Sequence, residues 1–172
     1  MKHDELAQGL EALHPAGYGW AMSCCGWRRE DAEDVLQLSY LKILSGEARF
    51  DHRATLKTFV FAVIKRTAAE QQRRRWIRQV ALVRWWEGRP APRPSMDPET
   101  AAHVGEMSAR LIAALQQLPP RQRDLLHLVF YQDLTVDDAA RVLGVSAGTA
   151  RTHFDRGKKR LRQMLDAAEV QR

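Results

Sequence analysis

Ser146, Thr149, Arg151, Thr152, Arg156, Lys158 and Lys159 recur through one short stretch of the chain, and what such a run can do is donate hydrogen bonds. Hydroxyl, guanidinium and ammonium groups on one helical face suit phosphate oxygens and the acceptor edges of guanine in the major groove of DNA. Asp155 is the acid among them; it repels phosphate but can accept from the N4 amine of cytosine. The same run would also make the solvated side of an ordinary surface helix, so residue type alone leaves both readings open. The residues before it favour DNA. In LTVDDAARVLGVSAGTARTHFDRGKKRLR, residues 134–162, Thr135 is placed to cap a helix and Asp138, three positions on, to close a capping box. Ala139, Ala140, Val142 and Leu143 give that helix an apolar side. Gly144 suits a left-handed helix exit, Val145 plugs the turn and Ser146 can cap the next helix. Within that second helix Ala150 and Phe154, then Leu161 and Leu165, make a narrow inward seam. The segment reads as a helix-turn-helix whose basic second helix faces outward.

A second set of donors lies upstream, in KRTAAEQQRRRWIR: Lys65, Arg66, Arg73, Arg74, Arg75 and Arg78, with Trp76 among them. Basic groups neutralise phosphates, and an aromatic face can stack on an unpaired base for roughly 1–3 kcal/mol. For the Trp76 ring alone, packing into the core is the simpler expectation. Further toward the N-terminus, REDAEDVLQLSYLKI puts Glu30, Asp31, Glu33 and Asp34 in the first turns of a helix, where the macrodipole favours acids. That structural reading stands beside a second one, in which Asp34 and Gln37, with Leu38 and Lys42 nearby, form a polar surface for docking another protein.

These groups need a helical scaffold, and the apolar spacing supplies one. Period-two alternation is almost absent, so the fold class is all-α: two small helical domains joined by a flexible Pro-rich linker, the second containing the helix-turn-helix. Leu6, Leu10 and Leu13 mark a short first helix; Pro15 opens a second that Gly26 stops. A third, from about Glu30 to Leu44, carries Ala32, Val35, Leu36, Ser39, Tyr40 and Ile43 on one side. A long fourth helix runs from about Ala54 into the arginine run, with Leu56, Phe59, Val60, Val63, Ile64 and Thr67 inward. WWEGRPAPRPSMDP then interrupts helix formation and reads as an extended linker that could hold two modules apart. The expected boundaries are 1–83, a linker over 84–104, and 105–172. In the second module Met107, Leu111, Ala114, Leu115 and Leu118 repeat at helical spacing, and Pro119–Pro120 start a fresh helix with Leu125, Leu126, Leu128 and Val129 as its core side.

The 172 residues are 45% hydrophobic, enough for packed cores, and carry a formal net charge of +6. That excess is concentrated. Residues 49–93 hold 12 basic and 3 acidic side chains and residues 141–162 hold 7 and 1, which favours a polyanionic partner for both. No signal peptide or membrane span is evident, so a cytoplasmic location is expected. Adjacent Cys24 and Cys25 suit neither an ordinary disulfide nor a complete zinc site; two buried thiols is the simpler reading, with a redox or metal sensor the alternative. No Gly-rich phosphate loop or HExxH pattern appears, the His residues are scattered, and no catalytic residue, metal, cofactor or small-molecule substrate is expected.

DAEDVLQLSYLKI resembles the D-A-E-D-x-x-Q-x-x-F pattern of bacterial sigma factors, and LPPRQRDLLHLVFYQDLTVDDAARVLGVSAGTARTHFDRGKKRLRQML is similar to their fourth conserved region. Both motifs stand in the family's order, and the absence of further domains is like the small extracytoplasmic-function group. The resemblance implies a promoter-specificity subunit whose partners are core RNA polymerase, promoter DNA and an inhibitory anti-sigma factor. It implies that Asp31, Asp34, Gln37, Leu38 and Tyr40 lie on or support a polymerase-docking helix. It places Arg151, Thr152, Asp155, Arg156, Lys158 and Lys159 at the minus-35 element, with Ser146 and Thr149 near its phosphates. It maps a loop that holds a flipped non-template base onto Glu47 to Arg53, hence Phe50, His52 and Arg53, with Lys65, Arg66, Arg73 and Arg74 as further minus-10 contacts. Where relatives read W-L-F-x-I-A-R-N this chain has Arg66 for the asparagine, and His153 and Asp155 replace residues that are often aromatic or basic, so base preference is expected to differ at these places. Two other classes compete. A free-standing helix-turn-helix regulator would leave the docking-like helix unexplained, and a sigma mimic that titrates an inhibitor would not need two basic patches.

Overall fold

The computed structural model describes residues 3–83 and 106–170, and every regular element among them is helical. The first unit is α1 (His3–Ala12), α2 (His14–Cys24), α3 (Arg29–Leu44) and α4 (Leu56–Val83). Pro15 sits in the first turn of α2, where its missing N–H costs nothing, and a single residue, Leu13, separates α2 from α1. Along α3, Ala32, Val35, Leu36, Ser39 and Ile43 are buried, the spacing of one helical face, and the Ser39 hydroxyl donates to the Val35 carbonyl at 2.6 Å. Helix α4 lays Val60, Val63, Ile64 and Thr67 on the same core and runs on past the arginine-rich end expected of it to Val83. Trp20, fully buried, ties α2 to α4 by donating its indole N–H to the Phe61 carbonyl at 3.0 Å.

The second unit is α5 (Glu106–Gln116), α6 (Pro120–Leu126), one wide π turn over His127–Tyr131, α7 (Val136–Leu143) and α8 (Ala147–Val170). The Thr135 hydroxyl accepts from the Asp138 backbone N–H at 3.0 Å, as expected of the cap. The Asp138 carboxylate, however, accepts from the Thr135 hydroxyl at 2.7 Å, the side-chain variant of the box that was read from sequence. Gly144 ends α7 with φ 63°, and Ser146 caps α8 through the Thr149 N–H at 3.1 Å. The apolar seam of α8 breaks between Phe154 and Leu161 because Gly157 lies there, buried against α6. A Cβ at this glycine would stand 3.2 Å from Gln122 Cβ and 3.3 Å from Leu126 Cδ1, so the close approach of α8 to α6 needs the missing side chain.

The Pro-rich linker lies outside the described residues. A linker of that kind allows the units on either side of it to stand apart; here they pack together. Helix α7 packs on α4, the π turn on α2, and the buried side chains of both units form one continuous cluster. The interface is polar as well as apolar. Lys65 Nζ lies 2.5 Å from Asp124 Oδ2, Lys57 Nζ donates to the Gln132 carbonyl at 2.5 Å, and Gln132 Nε2 donates to the Ala16 carbonyl at 3.3 Å. The Trp20 and His127 rings meet at 5.4 Å. This second contact explains why Phe61, absent from the expected inward set, is fully buried: α4 is covered on two sides, not one.

Candidate nucleic-acid interface

On α8 the expected reading residues share an open face. Ser146, Thr149, Arg151, Thr152, Asp155, Arg156, Lys158 and Lys159 are all exposed, as are Arg160 and Arg162. Several are already oriented. Arg151 Nη2 sits 3.2 Å from Asp137 Oδ1 of α7, the Ser146 and Thr149 hydroxyls are 2.8 Å apart, and the Thr152 hydroxyl donates to the Gly148 carbonyl at 3.0 Å. Asp155 pairs with Lys158 at 3.2 Å, and Lys158 also lies over the Phe154 ring at 4.6 Å, so one lysine softens the acid's repulsion of phosphate. His153, expected to alter the reading face, is instead half-buried, with Nδ1 enclosed and without a hydrogen-bond partner. Exposed pairs such as Arg151–Asp137 are worth little on their own in water, so a phosphate or base edge can displace them cheaply.

In the first unit the expected minus-10 residues do not form one patch. Arg66, Arg73 and Arg74 are exposed along one side of α4. Lys65, one residue before Arg66 and so about 100° around the helix, points instead at Asp124 of the second unit. The loop of Phe50, His52 and Arg53 is shaped by tilted ring contacts: Phe50 meets His52 at 4.4 Å and Phe59 at 5.2 Å, while Asp51 accepts from the Arg53 backbone N–H at 3.2 Å. Two concavities flank it. A cleft of about 230 Å³ is lined by Lys42, Glu47, Arg49, Arg66, Thr67 and Glu70 among others, and a wider one of about 400 Å³ by Leu6, Leu44, Phe50 and His52 among others. In the smaller cleft Lys42 bonds Glu70 at 2.6 Å and holds its carboxyl below the ordinary range, and Thr67 Oγ1 is buried with no hydrogen-bond partner. Cations, a carboxylate and a hydroxyl around a space of this size can read the edge of one planar base. Glu47 and Arg49 fall in the loop mapped onto the flipped base, and Lys42 was expected beside the docking surface; Thr67 and Glu70 of α4 were not among the expected site residues, and no local spacing joins them to that loop.

The docking-like helix divides in the same way. Asp34 and Gln37 are exposed and Leu38 half-buried on the outer side of α3, next to Leu41, whose 64% exposure sequence reading did not anticipate. Asp31 turns inward, buried and bonded by both terminal nitrogens of Arg75, with Arg28 also on it. It braces α3 to α4, and Arg75 is consumed in that brace and lost to the basic patch. Tyr40 is half-buried, faces α2 and meets the His14 ring at a tilt, 6.0 Å between centroids; burial raises its pKa. Trp76, expected in the core, is 64% exposed beside exposed Ile77. Cys24 and Cys25 are buried free thiols; burial pushes Cys24 well above the usual thiol value and Cys25 to about 11, which keeps them protonated. Among the described residues no helix is long and apolar enough to cross a membrane.

The sigma-70 region 2 family model matches residues 10–78 and the sigma-70 region 4 model matches residues 108–161, so one unit carries each region. The chain belongs to the sigma-70 family, in its ECF group. Among similar proteins, the ECF RNA polymerase sigma factor SigE of Mycolicibacterium smegmatis is 30% identical over 145 residues, which cover 80% of this chain and 52% of SigE. The ECF sigma factor EcfG of Rhodopseudomonas palustris is 28% identical over 168 residues, covering 96% of this chain and 89% of EcfG. This ECF sigma factor thus spans about half the length of the first relative and most of the second. In fold it is similar to the sigma factor RpoE of Bartonella quintana, solved with the anti-sigma factor NepR, at TM-score 0.75 and 24% identity over 94% of this chain and 97% of that one. It is also similar to CnrH, solved with the cytosolic domain of CnrY, at TM-score 0.67 and 20% identity over 96% and 90%. Helix α3 lies inside the region 2 match, and α7 with most of α8 inside the region 4 match.

Proposed function

We propose that this chain is the promoter-specificity subunit of a bacterial RNA polymerase: it binds core enzyme and directs initiation at a particular set of promoters. The observation that carries this reading is the pairing, on one chain, of an exposed basic recognition helix with a separate helical unit that offers a polar docking face and a base-sized cleft. In this account Arg151, Thr152, Asp155, Arg156, Lys158 and Lys159 read the minus-35 element while Ser146 and Thr149 hold its phosphates. Asp34, Gln37, Leu38 and Leu41 meet the polymerase, with Asp31 and Tyr40 supporting their helix from inside. Phe50, His52 and Arg53 border the minus-10 base site, and Arg66, Arg73 and Arg74 take the strand that leads to it.

Strand opening then draws on binding alone. Unstacking a base costs a few kcal/mol, an outlay that a captured base and neutralised phosphates can offset, so no nucleotide hydrolysis and no catalytic residue is required. The cytoplasm, where polymerase and chromosome meet, is the compartment this role requires. The two structural relatives were solved with an anti-sigma factor and with the cytosolic domain of CnrY, which supports an inhibitory protein partner here as well. In vitro transcription with purified core polymerase, this chain and a genomic template library tests the reading; chain-dependent initiation from a defined promoter set is expected, and no initiation from any template would sink it.

A further inference from the structure

Gly144 ends α7 through its positive φ, and Gly157 lets α8 approach α6, but Gly148 answers to neither need. It is the second residue of α8, it is exposed, and a Cβ built on it meets nothing within 4 Å. A glycine weakens a helix relative to alanine, and no packing contact here requires one. Thr152 stands four residues on, a neighbour on the same side of the helix. Its hydroxyl donates to the Gly148 carbonyl at 3.0 Å, the bond a threonine makes back to its own helix, so the part of this exposed side chain left for a partner is its methyl group. The charges beside it are engaged: Arg151 pairs with Asp137 of α7 at 3.2 Å and Asp155 with Lys158 at 3.2 Å. The first turns of α8, the part of a recognition helix that meets base edges, therefore carry an apolar recess of uncovered backbone at Gly148 bordered by the Thr152 methyl.

We propose that the Gly148–Thr152 recess reads the C5-methyl group of one thymine in the minus-35 element. That methyl is the apolar group that base pairs present in the major groove, and a site for it needs room and carbon, not donors. Gly148 supplies the room, because a Cβ would fill the space the methyl takes. Thr152 supplies the contact, and so acts through carbon where its residue type suggested a hydroxyl donor. Arg151 and Asp155 are left to the flanking bases, since their exposed partners are displaced at little cost. The proposal rests on the promoter reading of α8 and names what the centre of that face recognises.

The test uses the full chain assembled with core polymerase and the minus-35 sequence it selects from a randomised duplex library. Each thymine of the selected element is replaced singly by deoxyuridine, which removes the methyl and keeps every hydrogen-bonding group. At one position the unaltered chain should bind the thymine duplex about fourfold tighter than the uracil duplex, as burial of one methyl group predicts. Thr152→Ser, which keeps the hydroxyl, should abolish that preference, and Thr152→Val, which keeps the methyl, should preserve it. Gly148→Ala should raise the melting temperature of the free chain by about 2 °C. The same variant should bind the thymine duplex about tenfold more weakly through overpacking, and the uracil duplex with a much smaller loss. Each comparison sets two duplexes against one protein, so a general loss of folding or of phosphate contact cancels. A selected element with no methyl-dependent thymine, a preference that survives Thr152→Ser or vanishes in Thr152→Val, or equal losses on both duplexes in Gly148→Ala overturns the proposal and leaves the promoter reading standing. Failure to select any sequence removes both.

Discussion

Helix α8 and helix α4 are both long, basic and amphipathic, yet only α8 presents its charges where their spacing predicts. Helix α8 packs along one seam, through Ala150, Phe154, Gly157 and Leu161, so its basic residues off that seam face solvent. Helix α4 is covered by α2 and α3 on one side and by the second unit on another, and its cations are divided among three environments. Lys65 goes to Asp124 and Lys57 to the Gln132 carbonyl, Arg75 goes to Asp31, and Arg66, Arg73, Arg74 and Arg78 stay exposed. A helix contacted once can be read from its own period; a helix contacted twice cannot, because the second partner is distant in sequence.

The comparison is broken most severely at the docking face, which belongs to the tertiary-built half. Asp34→Lys should weaken core-polymerase binding by about a hundredfold or more, since reversing an exposed interface charge costs several kcal/mol. Circular dichroism and melting should stay as before; a pull-down with undiminished polymerase would remove α3 from the interface. Next is the join between the halves. His127 lies against Trp20 and Tyr131, and burial, with Arg123 nearby adding to it, holds its pKa at about 4. The packed state therefore favours the neutral ring: its contribution is present in full above the ordinary value of about 6.5 and is lost as the pH falls from there toward 4. Denaturant titration should show about 2 kcal/mol less stability at pH 5 than at pH 7 from this group, a difference that His127→Phe should abolish. Equal pH slopes in both proteins would show that the ring is not held neutral by the contact.

The locally built half should respond more narrowly. Arg151→Ala should cost about 1–3 kcal/mol of discrimination between the matched promoter and one mutated in the minus-35 element, measured by competition binding. A uniform loss across all sequences would make Arg151 a phosphate contact and not a reader of bases. The smallest effect is expected at Thr135→Ala, where loss of the α7 cap should lower stability by about 1 kcal/mol. Thermal melting checks it, and the minus-10 strand should bind as before.

What the sequence by itself determined is whatever depends on neighbours a few residues apart. The all-helical class, the Thr135 and Ser146 caps, the left-handed Gly144 turn, the buried faces of α3 and α8 and the outward arginines of α8 are consequences of helical periodicity and backbone preference. Even the family was legible, because its two motifs lie on single continuous segments. Tertiary structure alone decided which of those cations remain available. It turned Asp31 inward, sent Trp76 and Leu41 to the surface, and drew the cleft of Lys42, Arg66, Thr67 and Glu70 from separate elements. It also set the two units face to face across a proline-rich segment that suggested separation. The physical reason is that charge and spacing are properties of the chain, whereas desolvation and ion pairing depend on what packs opposite, and here the deciding acid, Asp124, lies 59 residues from its lysine.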